Sequence, residues 1–230
     1  MAHISIFIII LFIVTTFFIV WLFYKASGKS KTVLFVLGAW MLLQAVVGLS
    51  GFYQQEIQSV PPRFIFLIAP GLLLIILLFL TKKGRVFIDS LQLRELTLLH
   101  TIRIFVELTL CFMFSAKLIP LLMTFEGFNF DILSGLTAPI VYYLVFIIKR
   151  AEKKFLLIWN FLCLALLVNI VTLALLSLPT PFQKLAFEQP NVGLSYFPFV
   201  WLPCVVVPIV LFSHLVSIRR LLILPAEDKI

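Results

Sequence analysis

Leu98 to Met123 reads LLHTIRIFVELTLCFMFSAKLIPLLM, a stretch long and apolar enough to cross a bilayer that also carries His100, Arg103, Glu107 and Lys117. At about 100° per residue, His100, Arg103, Glu107, Cys111, Phe114 and Leu118 fall on one stripe of a helix, with Arg103 and Glu107 one turn apart and Lys117 off the stripe. An ionisable group inside a membrane costs at least about 2.5 to 3.5 kcal/mol even on the lenient insertion scale, so it faces protein or water and finds a partner. The stripe is therefore predicted to point into a helix bundle, with Arg103 and Glu107 as each other's partner.

The rest of the chain has the composition that such a bundle needs. Of 230 residues, 63% are hydrophobic and 12% charged, with mean hydropathy +1.18, against about 45 to 50% and 25% in soluble domains. That predicts an all-α integral membrane protein. The net charge of +8 does not indicate a nucleic-acid partner, because the basic residues sit in short links between apolar runs. Cys111, Cys163 and Cys204 lie inside apolar segments without a paired spacing, which indicates neither a disulfide framework nor a metal site. The first apolar run has no preceding Lys or Arg and no cleavage pattern, so it is predicted to stay as a membrane helix.

Seven runs have spanning length: Ile4 to Tyr24, Thr32 to Phe52, Phe64 to Leu80, Leu98 to Met123, Ile132 to Ile148, Phe155 to Leu178 and Phe199 to Leu222. They predict a seven-helix bundle forming a single transmembrane domain over residues 1–230. One set of connections holds Lys25, Lys29, Lys31, Lys82, Lys83, Arg85, Arg94, Lys149, Arg150, Lys153, Lys154, Arg219, Arg220 and Lys229, whereas the other holds only Arg63 and Lys184. The positive-inside rule then puts the N-terminus outside and the C-terminus in the cytoplasm. Val86 to Thr97 is predicted to include an interfacial helix capped by Asp89 or Ser90.

Two sets of polar residues are candidate sites. The sixth run brings Asn160, and the seventh His214, to depths like those of His100, Arg103 and Glu107, giving an inner polar cluster of five. A carboxylate near Arg and His suits a proton relay or a coupled transporter; the same residues also read as a structural ion pair with Arg103 reaching for the interface. On the outer side, Glu126, Asn129, Asp131, Gln183, Glu188 and Asn191 are expected to line a mouth, with Phe128, Phe130, Phe182 and Phe187 buried beneath them. No nucleophile motif accompanies these carboxylates, so no catalytic residue is assigned. Haem held by His100 and His214 is disfavoured because two histidines are the bare minimum, and retinal because the last run contains no lysine for a Schiff base.

The segments MTFEGFNFDILSGLTAP (Met123 to Pro139) and LPTPFQKLAFEQPN (Leu178 to Asn191) resemble those of an uncharacterised family of bacterial multi-pass membrane proteins. The resemblance implies a location in the bacterial cytoplasmic (inner) membrane and brings no activity. The expected function is binding and transport of a small molecule or ion through a polar site in the bundle. Two alternatives stay open: a membrane-embedded enzyme acting on a lipid or lipid-linked substrate, and a non-catalytic subunit docking a membrane-protein partner.

Overall fold

The computed structural model describes residues 5–223, so Ile4 and Lys229, used in the reading above, lie outside the described residues. Among these residues the chain is helical and contains no strand. The helices are α1 (Ile6–Ala26), α2 (Lys31–Leu49), α3 (Ile65–Leu80), α4 (Lys82–Ser90), α5 (Leu93–Leu99), α6 (Arg103–Ser115), α7 (Ile132–Tyr142), α8 (Lys153–Leu176) and α9 (Val207–Ile223). Five helical stretches are long and apolar enough to cross a membrane: α1, α2, Leu93–Ser115, α8 and Leu202–Ile223. A sixth qualifies if α3 and α4, bent by 95°, form one broken span, and the helix Ile132–Ile147 is shorter.

Local chemistry sets these boundaries. Ser5 caps α1 by accepting from the Phe7 amide. The same helix ends where Gly28, at φ +66°, lets the Lys29 amide reach back to the Tyr24 carbonyl. One face of α1, running through Ile8, Phe12, Thr16, Ile19 and Phe23, is buried at helical spacing against α5 and α6. By contrast α2 buries only Met41, Gln44, Ala45 and Gly48 and lies at the periphery. Two indoles pin it to the last helix. Trp201 donates to the Met41 carbonyl at 3.0 Å, and Trp40 donates to the Cys204 carbonyl at 2.9 Å. The second bond has a covalent cause: Pro208 has no amide hydrogen, so the carbonyl four residues earlier, on Cys204, loses its helical partner and takes the indole instead.

At the end of α3, Thr81 turns the chain and caps α4 by accepting from the Gly84 amide. A Cβ at Gly84 would collide with the Leu78 carbonyl, so the sharp corner requires glycine there. The helix found here is thus Lys82–Ser90, capped by Thr81, and neither Asp89 nor Ser90 caps a helix within Val86 to Thr97, since α5 begins at Leu93 after Gln92 without a side-chain cap. The basic ends of the helices meet: Lys25 pairs with Glu95 at 3.4 Å, Arg219 with Asp89 at 3.6 Å, and Arg220 donates to the Leu91 carbonyl.

The central charged stretch differs most from its expected bounds, since its helix runs from Leu93 through a 3₁₀ turn to Ser115 and not from Leu98 to Met123. Lys117 stops it at φ +58°: its amide bonds to the Phe114 carbonyl and the Leu118 amide to the Met113 carbonyl, a Schellman closure with lysine where glycine is usual. Beyond it the chain folds back as an irregular segment beside α8, where Asn169 donates to the Phe128 carbonyl. This segment reaches Asp131 beside Arg103, which is twelve residues below Ser115, or about 18 Å along the axis. The following helix, Ile132–Ile147, therefore starts at mid-bundle and descends to the basic end, where Arg94 donates to the Tyr142 hydroxyl at 2.7 Å. Gly135 makes the crossing with α6 possible, because a Cβ there would stand 2.8 Å from the Ile104 amide nitrogen.

Candidate functional site

The spacing of three and four residues puts His100, Arg103 and Glu107 on one face, and all three are buried. Asn160 on α8 and His214 on α9 join them, so the five residues of the expected inner cluster do come together. Their pairing is not the expected one. Arg103 Nε lies 2.6 Å from Asp131 Oδ2, and among the described residues no ion pair joins Arg103 to Glu107. Glu107 instead accepts from Asn129 Nδ2 at 2.6 and 2.7 Å, and the same nitrogen reaches the Met123 carbonyl at 3.0 Å. Asn129 Oδ1 completes the link by accepting from the Asp131 amide.

Hydrogen bonding fixes a direction through the rest of the cluster. Asn160 spends its amide nitrogen on the Leu156 carbonyl at 2.9 Å, leaving its oxygen to accept from His214 Nδ1 at 2.9 Å. His214 Nε2 is then the unprotonated nitrogen and accepts from Arg103 Nη1 at 3.2 Å. The His214 ring stacks on His100 with centroids 3.8 Å apart and planes 11° from parallel, and Trp159 meets His100 edge-on, with ring centroids 5.6 Å apart. Both nitrogens of His100, Nη2 of Arg103 and Oδ1 of Asp131 are buried without a hydrogen-bond partner among the described residues.

A cavity of about 230 Å³ lies over this cluster. Its walls are aliphatic and aromatic side chains from α3, α8 and the last helix, including Phe64, Ile68, Leu167, Val171 and Val206, while Arg103, Glu107, Asp131 and Thr172 are the polar residues of its lining. Val168 and Leu175 line it and are also exposed on the outer surface of α8, as is Leu72 on α3, so the cavity opens sideways between these two helices. The arrangement can hold an apolar body and present one polar group to an arginine and two carboxylates in a medium where such contacts are strong.

The expected outer mouth does not form from its six residues. Asn129 and Asp131 turn inward and complete the buried cluster. Asn191 is fully buried and donates to the Ala174 carbonyl, and Gln183 folds onto its own loop at the Leu185 and Ala186 carbonyls. Only Glu126 and Glu188 stay exposed. The four phenylalanines expected to be buried are exposed instead: Phe128 by 60%, Phe130 by 49%, Phe182 by 57% and Phe187 by 71%. Apolar rings on the outside of a bundle that faces lipid need no protein cover, whether they lie at mid-bundle like Phe130 or in the outer connection like Phe187. The two outer connections do touch: the Val192 and Gly193 amides share the Leu118 carbonyl, and the Gln189 side chain donates to the Ile119 carbonyl and to that of Phe114 in the last turn of α6.

Asn129 and Asp131 therefore belong with the inner cluster, and a sequence signal for this exists. In FNFD, Phe128 and Phe130 alternate with Asn129 and Asp131, which in extended backbone sends the two polar side chains to one side and the rings to the other. The family described as Domain of unknown function (DUF8737) matches residues 61–222, which takes in the whole cluster and the helices from α3 to all but the last residue of α9. No curated protein and no solved structure matches the chain.

Proposed function

Since the chain belongs to the DUF8737 family, whose description brings no activity with it, we propose a function from the site itself: the protein binds and translocates a small amphipathic molecule inside its helix bundle. The observation that carries this reading is the cavity of about 230 Å³, apolar on its walls and charged where Arg103, Glu107 and Asp131 line it. A purely structural ion pair would be closed over by side chains, as interiors normally are. Here the space above it is left open. The break in the chain at mid-bundle, where residues 116–131 are irregular and Ile132–Ile147 begins at the level of Arg103, also suits this reading, because transporters place such discontinuous segments at their substrate sites.

We read the chain as a single transmembrane unit of seven crossings, the irregular segment and Ile132–Ile147 together making the fifth and α3 the third. The bias of basic residues favours an external N-terminus and a cytoplasmic C-terminus, in a bacterial inner membrane. Lipid and the bound molecule are the proposed partners. The stacking of His100 on His214 at 3.8 Å weighs against haem, since axial ligands need the macrocycle between them.

The test is native mass spectrometry of protein released from nanodiscs, comparing wild type with Val171→Trp, which fills the cavity wall without touching the charged residues. A bound small molecule present in the wild type and lost in a folded Val171→Trp variant supports the reading. A wild type that carries nothing after exposure to total membrane lipid extract, or a ligand that stays in the variant, overturns it.

A further inference from the structure

A second, smaller cavity of about 80 Å³ lies at the end of the bundle opposite the basic links. Its lining mixes polar side chains, among them Gln54, Gln55, Arg63 and Thr180, with apolar ones such as Ile57, Pro62 and Leu178, and its exposed residues Gln55 and Ile57 place it at the surface. One side chain lines both this pocket and the buried cavity: Phe64. It is 7% exposed, and Leu178 of the outer pocket and Leu194 of the inner one are buried beside the same boundary. Resting on the translocation reading above, we propose that Phe64 is the gate between the buried cavity and the outer surface, giving the bound molecule an aqueous door in addition to the lateral one between α3 and α8.

The surroundings of Phe64 suit a moving ring on a fixed frame. The frame is the pocket rim. Arg63 lies over the Phe52 ring at 4.6 Å, pairs with Glu56 at 2.5 Å and donates to Gln55 Oε1. Gln54 donates to the Ser195 carbonyl and Gln58 to the Pro179 carbonyl, tying the two outer connections across the pocket. The moving part is the first turn of α3. Phe64 stands at its N-cap, with no side-chain capping bond to hold it. Within α3 only Leu67 and Ile75 are buried. Gly71 lies close against Pro208, whose Cγ would stand 3.0 Å from a Cβ at that position, and a proline, Pro70, immediately precedes this contact. With its Arg63–Glu56 pair already neutralised, the outer pocket offers amides and hydroxyls, which fits an uncharged polar group such as a hydroxyl or an amide on the passing molecule.

The experiment is thiol accessibility in proteoliposomes. Cys111, Cys163 and Cys204 are replaced by Ala and a single reporter, Leu110→Cys, is placed on the cavity wall, where Leu110 is buried. The probe is a membrane-impermeant methanethiosulfonate sulfonate applied from the side of the outer loops. Phe64→Ala is expected to raise its labelling rate by about tenfold, as when a mostly closed route becomes mostly open, and Phe64→Trp to lower it. Exposed Glu188→Cys should label equally in every background and so reports that the protein is intact. If Phe64→Ala does not assemble, Phe64→Leu takes its place, and the Phe64→Trp arm decides independently. Rates unchanged by these substitutions overturn the gate, and so does a reporter that only a lipid-soluble maleimide reaches. Either result leaves ligand binding itself to the mass-spectrometric comparison, so the two readings fail separately.

Discussion

Replacing Asp131 with Ala would strand the Arg103 guanidinium, which is 2% exposed, without its carboxylate. A buried charge stripped of its partner costs about 3 to 5 kcal/mol, so thermal unfolding in detergent should shift strongly downward. Removing both charges together, as Arg103→Met with Asp131→Leu, should recover much of that loss, the signature of a coupled pair. Glu107→Gln should cost only about 1 kcal/mol, since a carbonyl can still accept from Asn129. The reverse ranking would reinstate the Arg103 to Glu107 pairing expected from their one-turn spacing. That spacing did disclose which face is buried, because His100, Arg103 and Glu107 share it. It could not disclose the partner, which comes from backbone 28 residues on that follows no helical period. Tyr53 offers a check outside the membrane helices. Burial pushes its hydroxyl, which donates to Gln44 Oε1 at 2.5 Å, up to about 12 from 10.0. A folded value above the unfolded one means that this contribution to stability is intact below about pH 10 and is lost as pH rises toward 12. In an alkaline absorbance titration, one tyrosine should ionise late, and Tyr53→Phe should delete that step.

Among the elements, the crossing of α7 and α6 has the least room for change. A side chain at Gly135 would push against the Ile104 amide and the Arg103 Cβ, so Gly135→Leu should separate the helices and pull Asp131 from Arg103. Overpacking of this kind costs about 1 to 3 kcal/mol, and the lost ion pair adds to it. Gly38 has open space where its Cβ would be, so Gly38→Leu on α2 should leave unfolding in detergent nearly unchanged and serves as the matched control. Among the described residues each of the seven hydrophobic runs overlaps a helix, whereas no run marks the polar α4. Conventional end signals do stand at Ser5 and Gly28 around α1, yet hydrophobicity alone drew that run as Ile4 to Tyr24. The end of α6 was hidden because Lys117 adopts the left-handed turn that glycine usually marks, so Ala116 to Met123 read as more helix. The corner between α3 and α4 was hidden for a different reason, since Thr81 and Gly84 act through a collision that no pattern of hydrophobicity records.

At the level of the whole molecule, the proposed orientation is checked with exposed positions on opposite ends. An impermeant thiol reagent added to cells with a permeabilised outer envelope should modify Glu188→Cys and spare Lys83→Cys, each on a cysteine-free background, and the opposite pattern would invert every depth assigned above. The family match begins at residue 61, yet α1 lies against α5 and α6 with Phe12 and Ile19 wholly buried. A chain starting at Ser59 should therefore be unstable in detergent, and co-expressing residues 1–58 should restore it, because the cut falls at exposed Gln58 in a connection. The Asp131 contact has a further bearing on how the protein is made. During synthesis Arg103 and Glu107 leave the ribosome before Asp131 and Asn129 exist, so the insertion machinery receives two ionisable groups whose partners are still to be translated. The charged helix meets lipid at a cost until the returning segment supplies those partners. Residues 93–131 are therefore expected to insert most readily as one unit, so that truncating the chain before Asn129 should lower insertion of the 93–115 helix in a glycosylation-reporter assay.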